Sequence, residues 1–278
     1  MISALLAVWA GDRPEWVDEA LRSLQAQTRP ADQIVVVEDG PIADELSLVL
    51  DDAGQRLPIT RVRLPHNRGL SDALQAGLPA CEHELVARVD ADDICVPERF
   101  ERQLAAFAAQ PELAALGGFC AEFVDDPMRP YAIRTVPVGA DEVDRVARWR
   151  SPLNHPTVML RRSAVLAVGG YDGFVGIEDY YLWAKLIVAG YRIDNLAEVL
   201  VRQRAGPQLG RRRGGWRYAR TEAKLLWQFT RIGFLSRPQA VAGMAMRVPV
   251  RLVPNRLRSG IYRRLLRRDA VSPGDTAS

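Results

Sequence analysis

The amino-acid sequence predicts an α/β fold: a mainly parallel central sheet flanked by helices, followed by a basic helical C-terminal extension. Short apolar runs alternate with segments of helical period along the N-terminal third, which is the pattern of βαβ units. Of the 278 residues, 48% are hydrophobic and 26% are charged, so the chain can bury a large core and is not disordered. Basic residues are concentrated near the C-terminus.

The individual elements follow from the same patterns. Between Glu122 and Pro152 the periodicity is weak, and we assign no element there. The predicted strands are Ser3–Trp9, Gln33–Val37, Ile59–Leu64, Glu84–Val89, Leu113–Cys120, Thr157–Leu160, Tyr191–Leu196 and Val199–Val201. The predicted helices are Pro14–Gln27, Ala43–Ala53, Leu70–Pro79, Pro97–Gln110, Ser163–Val168 and Glu178–Ala189, with helical character from Gly215 to about Arg268.

Charge divides the chain into two parts. Residues 1–201 carry 19 Arg and Lys against 31 Asp and Glu, whereas residues 202–278 carry 18 against 3. This indicates an acidic, cation-using body and a basic part that attracts phosphate, lipid headgroups or another polyanion. A solvated arginine-rich helix surface is the alternative. We expect residues 1–215 to form one domain and residues 216–278 to form a basic amphipathic helical region.

The sequence predicts neither a transmembrane helix nor a disulfide framework. The apolar start, Ile2–Ala10, lacks the basic region of a signal peptide, and the apolar stretch Ile232–Val253 is interrupted by charges and prolines. The three cysteines are odd in number and widely spaced, which favours a reducing compartment.

Acidic residues follow the predicted strand Glu84–Val89. In open parallel sheets, ligands bind beyond the carboxyl ends of the strands. Asp90, Asp92 and Asp93 would repel one another there unless a cation or hydrogen bonds offset the repulsion. Mg²⁺ and Mn²⁺ take such oxygen ligands and complete their shell with substrate phosphates, so the cluster indicates a metal-bridged nucleotide diphosphate. A solvated turn with helix-capping aspartates is the alternative.

Two further acidic positions are candidates for the same site. Asp39 ends the second strand, where a carboxylate could accept a hydrogen bond from a base or a ribose, or serve as a turn residue. Glu178 and Asp179 begin a predicted helix, whose dipole would stabilise them as anions. Adjacent helical residues point about 100° apart, so only one can face the reaction. We choose Asp179 as the general base.

Together these motifs resemble family 2 glycosyltransferases, which have the GT-A fold. The likeness is strongest to exopolysaccharide enzymes of the amylovoran-biosynthesis type and covers roughly Ser3 to Arg220. The motifs that carry it are Ala7-Val8-Trp9, Leu21–Thr28, Ile34–Gly40, Asn67–Leu70, Val89–Asp93, Asn154–Met159 and Glu178–Trp183.

The resemblance implies a metal-dependent, inverting transfer of a sugar from a nucleotide diphosphate, expected to be a UDP-sugar, to a hydroxyl. The acceptor would be a growing surface polysaccharide or a lipid-linked oligosaccharide. Asp39 would contact the donor base, Asp90 the ribose or a metal-bound water, and Asp92 the Mn²⁺ or Mg²⁺, while Asp179 would deprotonate the acceptor. Asn67, Arg204 and Arg211 would assist donor binding, and Glu178, Trp183 and His155 would support the site.

Two features limit what the resemblance implies. In many relatives a histidine that could bind the metal comes shortly after the arginine that follows the helix of the general base. This chain reads Arg204-Ala205-Gly206-Pro207-Gln208 there, so the third protein ligand to the metal is not assigned. His155 also fits a hydrogen-bonded turn histidine.

The basic tail and the competing functions complete the expectations. Within residues 216–268, apolar residues alternate with arginines, which suits amphipathic helices on an anionic membrane or helices packed on the catalytic domain. We expect no nucleic-acid partner, and a cytoplasmic protein held peripherally at the inner face of the plasma membrane. The alternatives are a sugar nucleotidyltransferase, for which Ala10–Pro14 is a poor phosphate loop, and a non-catalytic membrane-associated scaffold.

Overall fold

The computed structural model describes residues 1–171, 177–205, 215–252 and 267–269. Its strands are β1 Ile2–Val8, β2 Gln33–Glu38, β3 Ile59–Arg63, β4 Leu85–Val89, β5 Ile94–Cys95, β6 Leu113–Phe123, β7 Ala132–Arg134, β8 Met159–Arg161, β9 Arg192–Arg204 and β10 Arg267–Asp269. Its helices are α1 Pro14–Gln25, α2 Asp44–Gly54, α3 Leu70–Gly77, α4 Arg99–Ala109, α5 Ala140–Ala147, α6 Arg162–Ala167, α7 Glu178–Val188, α8 Trp216–Arg231 and α9 Arg237–Leu252. Short 3₁₀ turns span Leu78–Ala80 and His155–Thr157.

The described strands form one sheet that is parallel at its centre and mixed beyond. β3, β2, β1 and β4 lie side by side and run parallel, whereas β8 lies antiparallel between β4 and β6. β9 runs parallel to β6 and also pairs with β5. The predicted α/β architecture with a mainly parallel centre is therefore confirmed. Because β1, β2 and β4 share one direction, their carboxyl ends meet at one edge of the sheet.

The central strands are buried on both faces, as their apolar runs predict. On one face, Leu6 and Val36 pack with Leu21 of α1, and on the other, Leu5 and Val35 pack with a cluster that includes Leu74 of α3 and Trp183 of α7. Parallel strands covered by helices on both sides need apolar residues at every position, and β2 is buried along its whole length.

Several elements differ from the prediction in extent. The two short strands predicted between Tyr191 and Val201 are one strand, β9, because it follows β6 continuously through three register shifts. Thr157 belongs to a 3₁₀ turn rather than a strand, and its hydroxyl donates to the Asn154 carbonyl at 2.7 Å. The helix expected from Pro97 begins at Arg99 instead. The Pro97 carbonyl accepts a hydrogen bond from the Thr28 amide.

The C-terminal helices α8 and α9 pack against α7. Phe229 of α8 lies in a buried cluster with Tyr180 and Tyr181 of α7, so packing accounts for the apolar residues on the inner face of α8. Gly233 ends α8 with a left-handed φ of 77°, and Phe234 donates its amide to the Phe229 carbonyl.

Beyond α9, the chain also returns to the sheet. Arg267–Asp269 pairs antiparallel with β7, so the predicted helical character up to about Arg268 is wrong for these residues. Such a short strand exists because an edge is available for pairing, and that partner is not visible in the local sequence. No helix within the described residues is both long and apolar enough to cross a membrane.

Candidate active site

Three loops with acidic residues leave the same edge of the sheet. In the register of the sheet, Val8 lies beside Glu38 and Leu6 beside Val89. The loops after β1, β2 and β4 therefore start next to one another and carry Asp12, Asp39 and the Asp90–Asp93 segment. The amide of Asp39 donates to the Val8 carbonyl at 2.7 Å, which closes the edge between the first two strands.

Asp39 organises the loop that precedes α3. Its two carboxylate oxygens accept the backbone amides of Arg68 at 2.7 Å and Gly69 at 2.8 Å, while the Asn67 side chain donates to the Asp39 carbonyl at 3.3 Å. Gly40 has a φ of 84°, and a Cβ there would stand 2.6 Å from the Asn67 backbone nitrogen. The structure thus brings Asp39 and Asn67 together. Their close approach, called the Asp39 wall below, requires glycine at position 40.

Asp12, Asp90 and Asp92 form a mutually repelling cluster. Burial raises the pKa of Asp92 to about 6, with further contributions from Asp90 and Asp12. Burial also raises the pKa of Asp12, and Asp90 adds to that rise against the hydrogen bond from the Trp9 amide. A cation at this position would relieve the repulsion among these carboxylates.

The acidic cluster fits a divalent ion only in part. Its oxygen donors suit Mg²⁺ or Mn²⁺, which commonly take one or two protein carboxylates and fill the remaining positions with phosphate oxygens and water. In the part of the chain that the structure describes, no three His, Cys, Asp or Glu side chains are arranged to hold a metal by themselves. The carboxylates of this cluster would therefore fit such an ion only together with ligands from outside the chain, such as phosphate oxygens or water.

Arg88 lies beneath the cluster and pairs with Asp90. Its side chain is only 3% exposed, and its guanidinium contacts both oxygens of the Asp90 carboxylate. The Arg88 carbonyl in turn accepts a hydrogen bond from Arg99, which is fully buried. A buried arginine requires such a partner, so Asp90 is held in place by this pair.

Asp93 and Arg204 connect the acidic loop to the end of β9. Asp93 is buried and accepts the Arg204 amide at 2.8 Å, and burial together with Asp90 and Asp92 raises its pKa well above the usual range. The Arg204 guanidinium donates to the Asp92 carbonyl at 3.3 Å, pairs with Glu19 and lies over the ring of Trp16. The structure thus brings Arg204 to the acidic loop, whereas Arg211 lies outside the described residues.

Tyr171 is influenced electrostatically by both the first turn of α7 and the acidic loop. Burial raises the pKa of its phenol, Arg88 lowers it, and Asp179, Glu178 and Asp90 raise it further. Asp179 is half-buried, while its neighbour Glu178 is buried. Asp179 is therefore the more accessible of the two carboxylates.

His155 and Trp183 lie in the core, in the same buried region as Tyr171. His155 Nε2 lies 3.0 Å from the Tyr171 hydroxyl, and its ring meets the Trp183 ring edge-on at a centroid distance of 6.1 Å. Burial, with a contribution from Arg88, lowers the pKa of His155 well below 6.5, which keeps its imidazole neutral. Trp183 is fully buried. Both side chains thus pack behind Tyr171.

Sequence reasoning missed Asp12 and Arg88 at the acidic edge and did not find the partner of Asp93. Asp12 carries the same signal as Asp39 and Asp90, since it follows a buried strand at the same edge. Asp93 was seen as part of the acidic cluster but not as the partner of Arg204, a contact that spans 111 positions. Arg88 gave no signal, because a charged residue in an apolar strand does not reveal its partner.

A separate cavity of about 410 Å³ lies between α5 and the start of β9. It is lined by residues that include Asp141, Arg148 and Arg192. Arg192 pairs with Leu113, at the edge of the sheet where β4 begins rather than where it ends. The cavity is therefore separate from the acidic edge.

Comparison with known proteins places this site in a family. The sequence profile described as "Glycosyl transferase family 2" matches residues 8–169, which include the ends of β1, β2 and β4. The chain is a family 2 glycosyltransferase. It is 37% identical to the amylovoran biosynthesis glycosyltransferase AmsE of Erwinia amylovora over 81% of this chain and 84% of that protein.

Other relatives of this family 2 glycosyltransferase extend the likeness over nearly the whole chain. It is 35% identical, over 96% of both chains, to an Escherichia coli enzyme named UDP-Gal:alpha-D-GlcNAc-diphosphoundecaprenol beta-1,3-galactosyltransferase. Among solved structures, the Pyrobaculum calidifontis mannosyltransferase PcManGT, in complex with GDP-Man and Mn²⁺, has a TM-score of 0.64 at 17% identity, covering 98% of this chain and 76% of that one.

The structure of Staphylococcus aureus TarS 1-349 with UDP gives a TM-score of 0.64 at 18% identity, with coverage of 88% of this chain and 70% of that chain. This glycosyltransferase spans 43% of the longer TarS chain. These likenesses show the GT-A fold, as predicted from the sequence motifs.

Proposed function

We propose that this glycosyltransferase moves a sugar from a UDP-sugar to a hydroxyl of a lipid-linked oligosaccharide or growing surface polysaccharide, with inversion at the anomeric carbon. The observation that carries the proposal is the electrostatic arrangement at the sheet edge. Asp92 and Asp12 have raised pKa values beside Asp90, and Tyr171 lies within electrostatic reach of both Asp90 and Asp179. This arrangement supports a cation site at Asp92 and Asp90 and a base at Asp179 that act on the same substrate.

Asp92 and Asp90 would hold Mn²⁺ or Mg²⁺ together with the donor diphosphate. When bound, the metal acts as a Lewis acid toward the diphosphate, which gains negative charge as the sugar leaves. Asp92 is the better placed of the two to offer oxygen atoms, because Arg88 already pairs with Asp90. The ordered backbone that Asp93 and Arg204 create keeps this loop in one position.

Donor recognition would involve the Asp39 wall. Each carboxylate oxygen has two acceptor positions, so Asp39 can bind the amides of Arg68 and Gly69 and still accept an N–H group of a uracil base. Asn67 lies beside it and would contact the nucleoside. Arg204, and Arg211 outside the described residues, would face the phosphates.

Asp179 would act as the general base. Its position in the first turn of α7 favours the ionised carboxylate, because the helix dipole is positive there. The carboxylate takes the proton of the acceptor hydroxyl as that oxygen attacks the anomeric carbon and the nucleoside diphosphate departs. Attack from the side opposite the leaving group inverts the configuration. His155 and Trp183 would keep Tyr171 and α7 in register.

The donor and acceptor classes rest on the relatives. The E. coli relative is named for a UDP-galactose donor and a sugar-diphosphoundecaprenol acceptor, and the E. amylovora relative for amylovoran biosynthesis. Identities of 35% and 37% over most of the chain support similar classes of substrate here, with a cytoplasmic enzyme bound peripherally at the inner face of the membrane.

Product analysis tests the proposal against its alternatives. The purified chain, Mn²⁺ and a panel of UDP-, GDP- and dTDP-sugars would be incubated with a lipid-linked sugar acceptor. Release of UDP with glycosylation of the acceptor is expected, with an inverted linkage by NMR. Pyrophosphate-dependent exchange would instead identify a sugar nucleotidyltransferase, and no reaction with any donor would leave a scaffold.

The variant Asp179→Asn assigns the base. It should lower kcat by at least about 100-fold, because general-base catalysis contributes roughly that factor, while donor binding persists. The matched control is Asp144→Asn on α5, an acid lining the separate cavity, which should keep wild-type rates. If Asp179→Asn retained normal turnover, another residue would be the base.

A further inference from the structure

The surface of α8 that faces solvent carries a single stripe of tryptophan and cationic residues. The exposed residues Trp216, Arg220, Lys224, Trp227 and Arg231, called the outer stripe below, follow one another at intervals of three or four positions. Residues at this spacing lie on one face of a helix. Trp216 and Trp227 are 64% and 57% exposed, and about 16 Å of helix axis separates them.

Packing among the residues that the structure describes does not explain the outer stripe. The inner face of α8, with Leu225, Leu226 and Phe229, is at most 1% exposed and supplies the contacts with α7. Two large aromatic side chains on the opposite face gain nothing from folding while they stay in water. Tryptophan combines an apolar ring with an N–H donor, which suits the boundary between water and lipid.

The charged residues of α8 are also divided between its buried and its exposed face. Its only carboxylate, Glu222, is fully buried and pairs with Arg247 of α9 at 2.5 Å. The outer stripe therefore presents Arg220, Lys224 and Arg231 with no acidic residue among them. In the described part of the chain, none of these three cations forms an ion pair with another side chain.

We propose that the outer stripe of α8 docks the enzyme on an anionic lipid surface. The two tryptophan rings enter the headgroup region, and the three cations face lipid phosphates, as in helices that lie in the plane of a membrane. A second copy of the chain is a poorer partner, because two identical stripes would bring like charges together.

The position of α8 connects this surface to the reaction. The Phe229 ring on its inner face stacks edge-on against Tyr180 at a centroid distance of 4.8 Å and lies 6.3 Å from Tyr181. These tyrosines directly follow Asp179 in α7. Docking through α8 thus holds the proposed base at a set distance from the lipid surface. This inference rests on the proposed function, because a lipid-linked acceptor would be presented at that surface.

Vesicle flotation of the full chain tests the proposal without any substrate. The wild-type protein should float with vesicles of phosphatidylcholine and phosphatidylglycerol, bind far less to pure phosphatidylcholine, and dissociate as salt screens the charges. The double variant Trp216→Ala/Trp227→Ala and the triple variant Arg220→Gln/Lys224→Gln/Arg231→Gln should each bind anionic vesicles at least about tenfold more weakly.

The matched control separates the stripe from net charge. Arg22→Gln/Arg102→Gln/Arg129→Gln removes the same charge from exposed positions elsewhere and should bind within about twofold of wild type. Equal loss in this control, or full binding by either stripe variant, would overturn the proposal. Sedimentation tests self-association instead. If the wild-type protein were a dimer and the Trp216→Ala/Trp227→Ala variant a monomer that still binds vesicles, the outer stripe would be a dimer interface.

Donor hydrolysis in vesicle-free buffer distinguishes the two hypotheses. All stripe variants should release UDP from the donor at wild-type rates, since their substitutions lie outside the catalytic site. Loss of vesicle binding with intact hydrolysis supports docking. A wild-type protein that binds vesicles but hydrolyses no donor would count against the proposed function and leave the docking surface standing.

Discussion

Buried charge determines the character of individual residues at the acidic edge. Arg88 and Asp90 neutralise each other, whereas Asp92 and Asp93 retain raised pKa values because burial and neighbouring carboxylates disfavour their anions. The sequence correctly indicated a concentration of negative charge after β4. It did not indicate that each carboxylate has a different partner, because those partners come from elements distant in sequence.

His155 makes a residue-scale prediction about pH. Its pKa is lowered in the folded state by burial and by Arg88, while the unfolded chain has the ordinary value of about 6.5. The unfolded state therefore binds more protons below that pH, and stability falls as the pH falls through 6.5. The slope is at most about 1.4 kcal/mol per pH unit.

Urea unfolding of wild type and His155→Gln at pH 8, 6 and 5 measures this effect. The His155→Gln variant should lack the loss of stability that comes from protonation of His155 in the unfolded state. Its free energy of unfolding should therefore rise relative to that of wild type as the pH drops. Asp92 and Asp93, whose raised pKa values act in the opposite sense, are common to both proteins and cancel in the difference. Curves for His155→Gln and wild type that run parallel over this pH range would refute the assignment.

Among the elements, α8 shows how one helix serves two surroundings. Its periodicity alone is compatible with either a membrane or a protein partner, since both bury an apolar face. The structure assigns the apolar face to the cluster with Tyr180 and Tyr181 and leaves the tryptophans Trp216 and Trp227 outside. A helical wheel reveals two faces but not which neighbour covers either of them.

Phe229 provides the prediction at this scale. The Phe229→Ala substitution should lower the free energy of unfolding by about 3–5 kcal/mol, because it removes a fully buried ring between α7 and α8. Trp227→Ala, on the exposed face of the same helix, should change it by less than about 0.5 kcal/mol. Chemical denaturation measures both, and equal losses would mean that α8 does not pack as described.

At the scale of the whole molecule, the acidic and basic parts of the sequence occupy different elements of the fold. The acidic edge of the sheet belongs to the body, and the basic C-terminal part contributes two helices packed against α7 and a short strand paired with β7. The described elements of the basic part are thus packed against the acidic body of the chain. β9 crosses from the edge where β4 begins to the acidic loop, where it delivers Arg204.

Ligand-induced stabilisation provides a prediction for the whole protein. UDP with Mn²⁺ should raise the Tm by about 5–10 °C at ligand concentrations near 100 times Kd, since a ligand that binds only the folded state stabilises it by mass action. Chelation of the metal should remove most of the shift.

The Asp92→Asn variant should lose the Mn²⁺-dependent part of the Tm increase, because the substitution removes a proposed metal ligand. Asp141→Asn, at the separate cavity, should keep the full shift in differential scanning fluorimetry. A UDP shift that is the same with and without Mn²⁺ would contradict the proposed metal role.

The sequence by itself determined the parallel start of the sheet, the acidic residues at its strand ends and the basic C-terminus, because periodicity and composition are local properties. Only the tertiary structure decided that Arg88 neutralises Asp90, that Asp93 binds the Arg204 amide, and that the charges of both Asp90 and Asp179 act on Tyr171. It also decided that one face of α8 is buried while the other faces solvent. Contacts between residues far apart in sequence depend on how layers pack, and that packing has no periodic signature in the chain.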